Sequence, residues 1–132
     1  MYQVKRHSTS HFVSLRGYQY HVREWGNPQS QLPPVVLAHG WMDVAASWQF
    51  MVESFTDSFY QNRRILAADW RGYGLTKGPA TDSYWLPDYL GDLDALLRQL
   101  CPDQSIDLVG HSMGGNVVMM YAGRSEERRV GK

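Results

Sequence analysis

The chain has 132 residues, 43% of them hydrophobic and 20% charged, a balance that builds a buried core and excludes a disordered polypeptide. Thirteen basic residues cancel thirteen acidic ones, which leaves no electrostatic footprint for nucleic acid or an anionic membrane. No apolar run approaches the ~20 residues of a membrane span, and residues 1–11 lack the apolar core of a signal peptide. Cys101 stands alone, which excludes an intrachain disulfide and suits a reducing compartment. A soluble cytoplasmic protein is expected, with Cys101 as a surface or packing thiol beside Pro102.

Two alternating stretches, residues 11–16 and 18–25, meet at Gly17 and read as a β-hairpin. His7, His11 and His21 lie here without metal-ligand spacing and are expected at exposed positions. A polar, Pro-ended loop follows, and then the continuous apolar run Val35-Val36-Leu37-Ala38, of the kind buried in parallel sheets. It runs into His39-Gly40-Trp41-Met42. Ala45, Trp48, Val52 and Phe55 recur at helical spacing, so one crossover helix is expected over residues 45–55. Ile65-Leu66-Ala67-Ala68 is the next buried strand. It ends in a turn-rich loop, Asp69-Trp70-Arg71-Gly72-Tyr73-Gly74-Leu75-Thr76, in which Asp69 and Arg71 are expected to pair, and residues 78–83 are read as more loop.

Leu86, Leu90, Leu93, Leu97 and Leu100 mark one face of a helix, with Pro87 in its first turn and Arg98 near its end. Asp88, Asp92 and Asp94 fall in its N-terminal half, where they read as solvent-facing charges that complement the helix dipole. A β-branched run, Ile106-Asp107-Leu108-Val109, reads as a strand, and residues 115–122 as a helix. Hairpin, then strand–helix–strand–helix–strand–helix, is an α/β pattern with a mostly parallel, doubly wound sheet in one unit over residues 1–132.

Between the last strand and helix stands Gly110-His111-Ser112-Met113-Gly114, a G-x-S-x-G turn. A serine on so tight a turn adopts strained backbone angles, and glycines keep side chains out of the space where helix meets strand. The hydroxyl then stands clear of the sheet, with the amide of Met113 directed at any oxyanion the serine creates.

With this motif, the loop at His39-Gly40-Trp41 and the D-x-R-G-x-G-x-T turn at Asp69–Thr76, the chain resembles the α/β-hydrolase fold family from about Val13 to Gly123. The family's strand order would place the strand at Val35 between those at Ile65 and Ile106, leaving a crevice at their carboxyl ends. The resemblance implies that Ser112 is the nucleophile of acyl transfer and that the amides of Met113 and Trp41 form the oxyanion hole. Gly40, Trp41, Met42 and His111 would then border the substrate, and Trp70 would line an acyl pocket or pack in the core. A serine here, where family dehalogenases and epoxide hydrolases carry aspartate, points away from alkyl-enzyme chemistry. His39 and His111 are read as shaping the backbone rather than as bases.

The resemblance implies a small-molecule acyl substrate, with no cofactor, metal, nucleic acid or membrane partner. In this family the acid and then the histidine follow the serine. Here Glu126 and Glu127 follow Ser112, but all five histidines precede it. The almost wholly charged stretch from Arg124 to Lys132 is unusual beside the family pattern. Both observations make the chain read as the N-terminal half of a longer hydrolase, inactive by itself. The alternative is a non-catalytic, hydrolase-like remnant that binds a ligand or partner.

Overall fold

The computed structural model describes residues 1–80 and 84–124. The charged stretch singled out beyond Arg124, and residues 81–83 of the loop read at 78–83, lie outside them.

Strands β1 (Thr9–Leu15) and β2 (Tyr18–Gly26) pair antiparallel from Thr9↔Glu24 to Leu15↔Tyr18. Arg16 and Gly17 close the hairpin with φ of +48° and +84°. Positive φ at both central residues is the type I′ geometry whose twist matches that of paired strands. Strands β3 (Val35–Ala38), β4 (Arg64–Ala68) and β5 (Asp107–Gly110) complete a mixed sheet in the order β1-β2-β4-β3-β5. β3 is parallel to both β4 and β5, while β2 meets β4 antiparallel. Among the described residues, β5 forms one edge and β1 the other.

All four residues of β3 are buried, as are Ile65 to Ala68 of β4, because both faces of these strands are covered. Alternation divides them between two cores. Val36, Ala38, Leu66 and Ala68 pack with Tyr20, Tyr89, Leu93, Leu97, Val117 and Tyr121 beneath helices α3 (Leu86–Leu100) and α4 (Met113–Arg124). Val35, Leu37, Ile65 and Ala67 pack with Trp25, Ala45 and Val52 on the other face. Cys101 is fully buried in the first core, a packing thiol.

The chain leaves β3 toward β4 on one side and returns past β3 to β5 on the other. Right-handed crossovers in opposite directions put their helices on opposite faces. That reversal opens the sheet at the carboxyl ends of β3 and β5, where Ala38 and Gly110 are register partners.

The single crossover helix expected over residues 45–55 is two short pieces, and a further helix that was not expected follows it. A 3-10 turn at Ala45–Trp48 runs into α1 (Gln49–Ser54), and α2 (Asp57–Asn62) follows. The chain turns extended at Phe55, with ψ of 150°, and Thr56 restarts the helix by accepting the Phe59 N–H at 3.1 Å. A threonine cap just past the apolar period begins the second helix.

Candidate active site

Ser112 sits between β5 and α4 at φ +55°, in the left-handed region that costs a non-glycine residue about 1–3 kcal/mol. Hydrogen bonds on each side hold it there. His111 N–H donates to Ala38 O at 3.1 Å, Gly114 N–H to His111 O at 3.0 Å and Asn116 N–H to Ser112 O at 3.1 Å. The flanking glycines are needed for close approach. A Cβ on Gly110 would lie 2.6 Å from the Cα of Gly115, and one on Gly114 would overlap the carbonyl oxygen of Ala38. The Ser112 side chain is exposed, and Met113 beside it is half-buried.

The β3 loop lies against this turn. A Cβ on Gly40 would stand 3.0 Å from Ser112 Cβ and 3.0 Å from His111 O. Trp41 and Met42 continue outward, 61% and 81% exposed, with Met42 at φ +56°. Trp70, considered for an acyl pocket, is a core residue at 3% exposure, and its indole N–H donates to His39 O at 2.9 Å.

His39 is fully buried, and backbone groups engage both of its ring nitrogens. Nε2 accepts the Trp70 N–H at 3.0 Å, which leaves the ring proton on Nδ1, 2.8 Å from Gly40 O. Burial pushes its pKa below the ordinary value. His39 therefore ties the loop after β3 to the loop after β4.

Asp69 performs a similar task, but not through Arg71 as its sequence position suggested. Its Oδ1 accepts the Ala45 N–H at 2.7 Å, and its Oδ2 accepts Leu75 N–H at 2.9 Å and His21 Nδ1 at 2.8 Å. His21, expected at an exposed position, is thus fully buried. On β2 it points to the face that residues 69–76 cover, and the loop supplies its acceptor.

Arg71 forks instead onto Asp92, Nε to Oδ2 at 2.6 Å and Nη2 to Oδ1 at 2.7 Å. Asp92 was read as a solvent-facing charge, yet it is fully buried, and Arg16 and the Tyr20 hydroxyl also bind it. The Asp92 hydrogen bonds raise the Arg71 pKa despite burial. Asp88 Oδ2 accepts Trp85 N–H at 3.3 Å as a helix cap, but its side chain is 15% exposed and lies 3.8 Å from Arg71 rather than facing solvent, while Asp94 pairs with Arg98 at 2.8 Å and accepts the Tyr121 hydroxyl at 3.1 Å.

A cavity of about 420 Å³ opens beside the turn, lined by Asp43, Ser47, Trp48, Val109, Gly110 and His111. Of these, sequence reasoning singled out only His111 as bordering a site. Burial pushes the Asp43 carboxyl up, but the Ser47 hydroxyl, the Val44 N–H and the nearby His39 and His111 together hold it below its ordinary value. Trp48 Nε1 is buried without a hydrogen-bond partner. No feature of a lone Asp-x-x-x-Ser spacing announces a cavity wall; only the fold of the β3 loop brings these residues to β5. Among the described residues, no group of histidine, cysteine, aspartate and glutamate side chains is placed to hold a metal ion, and no helix is long and apolar enough to cross a membrane.

The fold has counterparts in known proteins. Residues 33–131 match the model of the α/β hydrolase fold family. The chain is 36% identical over 110 residues to a non-heme chloroperoxidase of Streptomyces lividans, covering 83% of this chain and 37% of that protein. It is 34% identical over 111 residues to epoxide hydrolase A of Mycobacterium tuberculosis, covering 83% of this chain and 33% of that one. The thioesterase domain from the curacin biosynthetic pathway superposes with a TM-score of 0.79 at 28% identity, over 92% of this chain and 43% of that domain. The chain thus spans roughly a third to two fifths of the length of these curated relatives. It belongs to the α/β hydrolase fold family.

Proposed function

We propose that the chain carries the nucleophile half of a serine hydrolase acting on a carboxylic ester or a similar acyl substrate. Ser112 attacks the carbonyl carbon, and the N–H groups of Met113 and Trp41 hold the developing oxyanion. Met113 opens α4, where the first N–H groups lack intrahelical partners and the helix dipole favours negative charge. Gly40, Trp41, Met42 and His111 border the substrate. The observation that carries this reading is Ser112 itself, exposed and strained at φ +55° against the β3 loop. A hydroxyl nucleophile suits acyl transfer, and the solved relative named for thioester chemistry is consistent with that class.

The base and acid of the triad are assigned to sequence beyond these 132 residues, since no histidine follows Ser112 and both His39 ring nitrogens are engaged. The 132-residue chain alone is therefore expected to turn over an activated ester such as p-nitrophenyl acetate little faster than the uncatalysed reaction. Rapid hydrolysis by the purified chain, abolished by Ser112→Ala, would place the base within it and contradict this assignment.

A further inference from the structure

The end of β4 and the β1–β2 hairpin hold a second line of polar groups that this chemistry does not use. Ser10 Oγ lies 2.8 Å from His21 Nε2, and His21 Nδ1 lies 2.8 Å from Asp69 Oδ2. We propose that Ser10 is a second nucleophile, activated by His21 and Asp69 toward small activated acyl and phosphoryl groups.

The hairpin register creates the arrangement. Phe12 stands opposite His21, so Ser10, two residues away on the same face of β1, is its diagonal neighbour. His21 is fully buried and Asp69 is 2% exposed, while Ser10 is exposed at the end of the line. A carboxylate only accepts hydrogen bonds, and Asp69 already accepts from the Ala45 and Leu75 N–H groups. The proton of a neutral His21 therefore sits on Nδ1, and the Nε2 lone pair meets the Ser10 hydroxyl. That is the tautomer a general base requires.

The imidazole is also held in place. The Phe12 ring packs against it at 5.1 Å, and the His21 N–H donates to Thr76 Oγ1 at 3.0 Å. A buried histidine needs only one donor and one acceptor. What distinguishes this one is that its acceptor nitrogen meets an exposed hydroxyl.

The backbone adds one further group. In a hairpin closed by a two-residue turn, Leu15 and Tyr18 exchange both hydrogen bonds, so alternate residues of β1, Ser10 among them, direct their N–H away from β2. β1 is a sheet edge, which leaves the N–H of Ser10 facing outward beside its own hydroxyl. In serine proteases the nucleophile's own N–H is one of two oxyanion donors.

With a fluorophosphonate, Ser10 Oγ attacks phosphorus as the P–F bond breaks. Fluoride leaves, and the hydroxyl proton passes to His21 Nε2. With an activated ester, the Oγ–carbonyl bond forms, the alkoxide or phenoxide leaves, and the proton takes the same route.

The test uses the Ser112→Ala chain, a fluorophosphonate and peptide mapping by mass spectrometry. Ser14 is the internal standard: it is exposed on the same face of β1 and accepts a hydrogen bond from Gln19. The expected result is modification of Ser10 roughly tenfold or more faster than Ser14, with His21→Gln lowering Ser10 to the Ser14 rate. Equal rates at the two serines would overturn the proposal, and that comparison stands even if His21→Gln fails to fold. Labelling of Ser112 in the unsubstituted chain with none at Ser10 would also overturn it, while leaving the proposed role of Ser112 intact.

Discussion

The backbone of Gly40 and the side chain of Ser112 approach so closely that a methyl group on Gly40 would stand 3.0 Å from Ser112 Cβ. The loop after β3 and the turn after β5 thus meet without an intervening side chain. The proposed use of the Trp41 N–H at the serine depends on this contact.

Three glycine substitutions separate positioning from stability. Gly40→Ala meets its neighbours at 3.0 Å, which a shift of a few tenths of an ångström relieves, so a cost near 1 kcal/mol is expected. Gly114→Ala would drive a methyl into the Ala38 carbonyl oxygen and is expected to cost about 3 kcal/mol or more. Among the described residues Gly123→Ala meets nothing within 4 Å, and it should stabilise α4 by ~0.5 kcal/mol. Urea midpoints of the three variants check this order, and equal midpoints for Gly40→Ala and Gly114→Ala would contradict it.

Asp92 anchors β1, β2 and the Arg71 loop to α3 through Arg16, Tyr20 and Arg71. Asp92→Ala leaves a buried guanidinium without its bidentate partner, a change that typically costs about 3–5 kcal/mol. Asp92→Asn keeps an acceptor and should cost less. Chemical denaturation of both variants gives the comparison, and a change below about 1 kcal/mol for Asp92→Ala would show the network to be dispensable.

Stability should fall in mild acid because of His39. Its folded-state pKa is lowered by burial, whereas the unfolded chain titrates near 6.5. The unfolded state therefore binds a proton first, and stability is lost as pH drops below 6.5 toward the folded value, by at most about 1.4 kcal/mol per pH unit. His39→Gln keeps an acceptor for the Trp70 N–H and has no proton to bind. Denaturation midpoints between pH 7 and pH 5 should fall more steeply for the original chain than for the variant, and parallel curves would refute the assignment.

One carboxylate ties down two backbone N–H groups of the N-terminal segment. Glu53 accepts the N–H of Lys5 at 2.7 Å and of Arg6 at 3.2 Å, and its pKa is held at about 2, chiefly by the Lys5 N–H. The lowered value means that this tie weakens as pH falls from the ordinary 4.5 toward 2. Glu53→Ala should expose Lys5 and Arg6 to trypsin at pH 8, with cleavage there outpacing that of the original chain. An unchanged rate would mean that Arg6, through its bonds to Val52 O, Phe55 O and Asp57, holds the segment alone.

Features set by local pattern were legible in the sequence. Continuous apolar runs become β3 and β4 because both faces of each strand are covered, and the turn at Gly110–Gly114 needs its glycines for steric reasons that spacing alone conveys. What escaped was set by distant pairing. Asp92 looks like any helix carboxylate until the fold brings Arg71 and Arg16 to it, and His21 looks exposed until residues 69–76 cover its face of β2. The helix end at Phe55 was legible because the apolar period stops there, whereas α2 was not, because the Thr56 cap that starts it acts through a single hydrogen bond. The walls of the cavity at Asp43 and Trp48 come from loop geometry that no residue spacing encodes.

The most direct test of Ser112 as a nucleophile lacking its base is chemical rescue. The 132-residue chain is treated with a fluorophosphonate at rising imidazole concentration, and Ser112 modification is followed by peptide mapping against Ser14. The expected result is slow labelling of Ser112 without imidazole, rising roughly tenfold or more with imidazole while Ser14 does not follow. Labelling of Ser112 no faster than of Ser14 at every imidazole concentration would contradict it and leave the turn a structural relic.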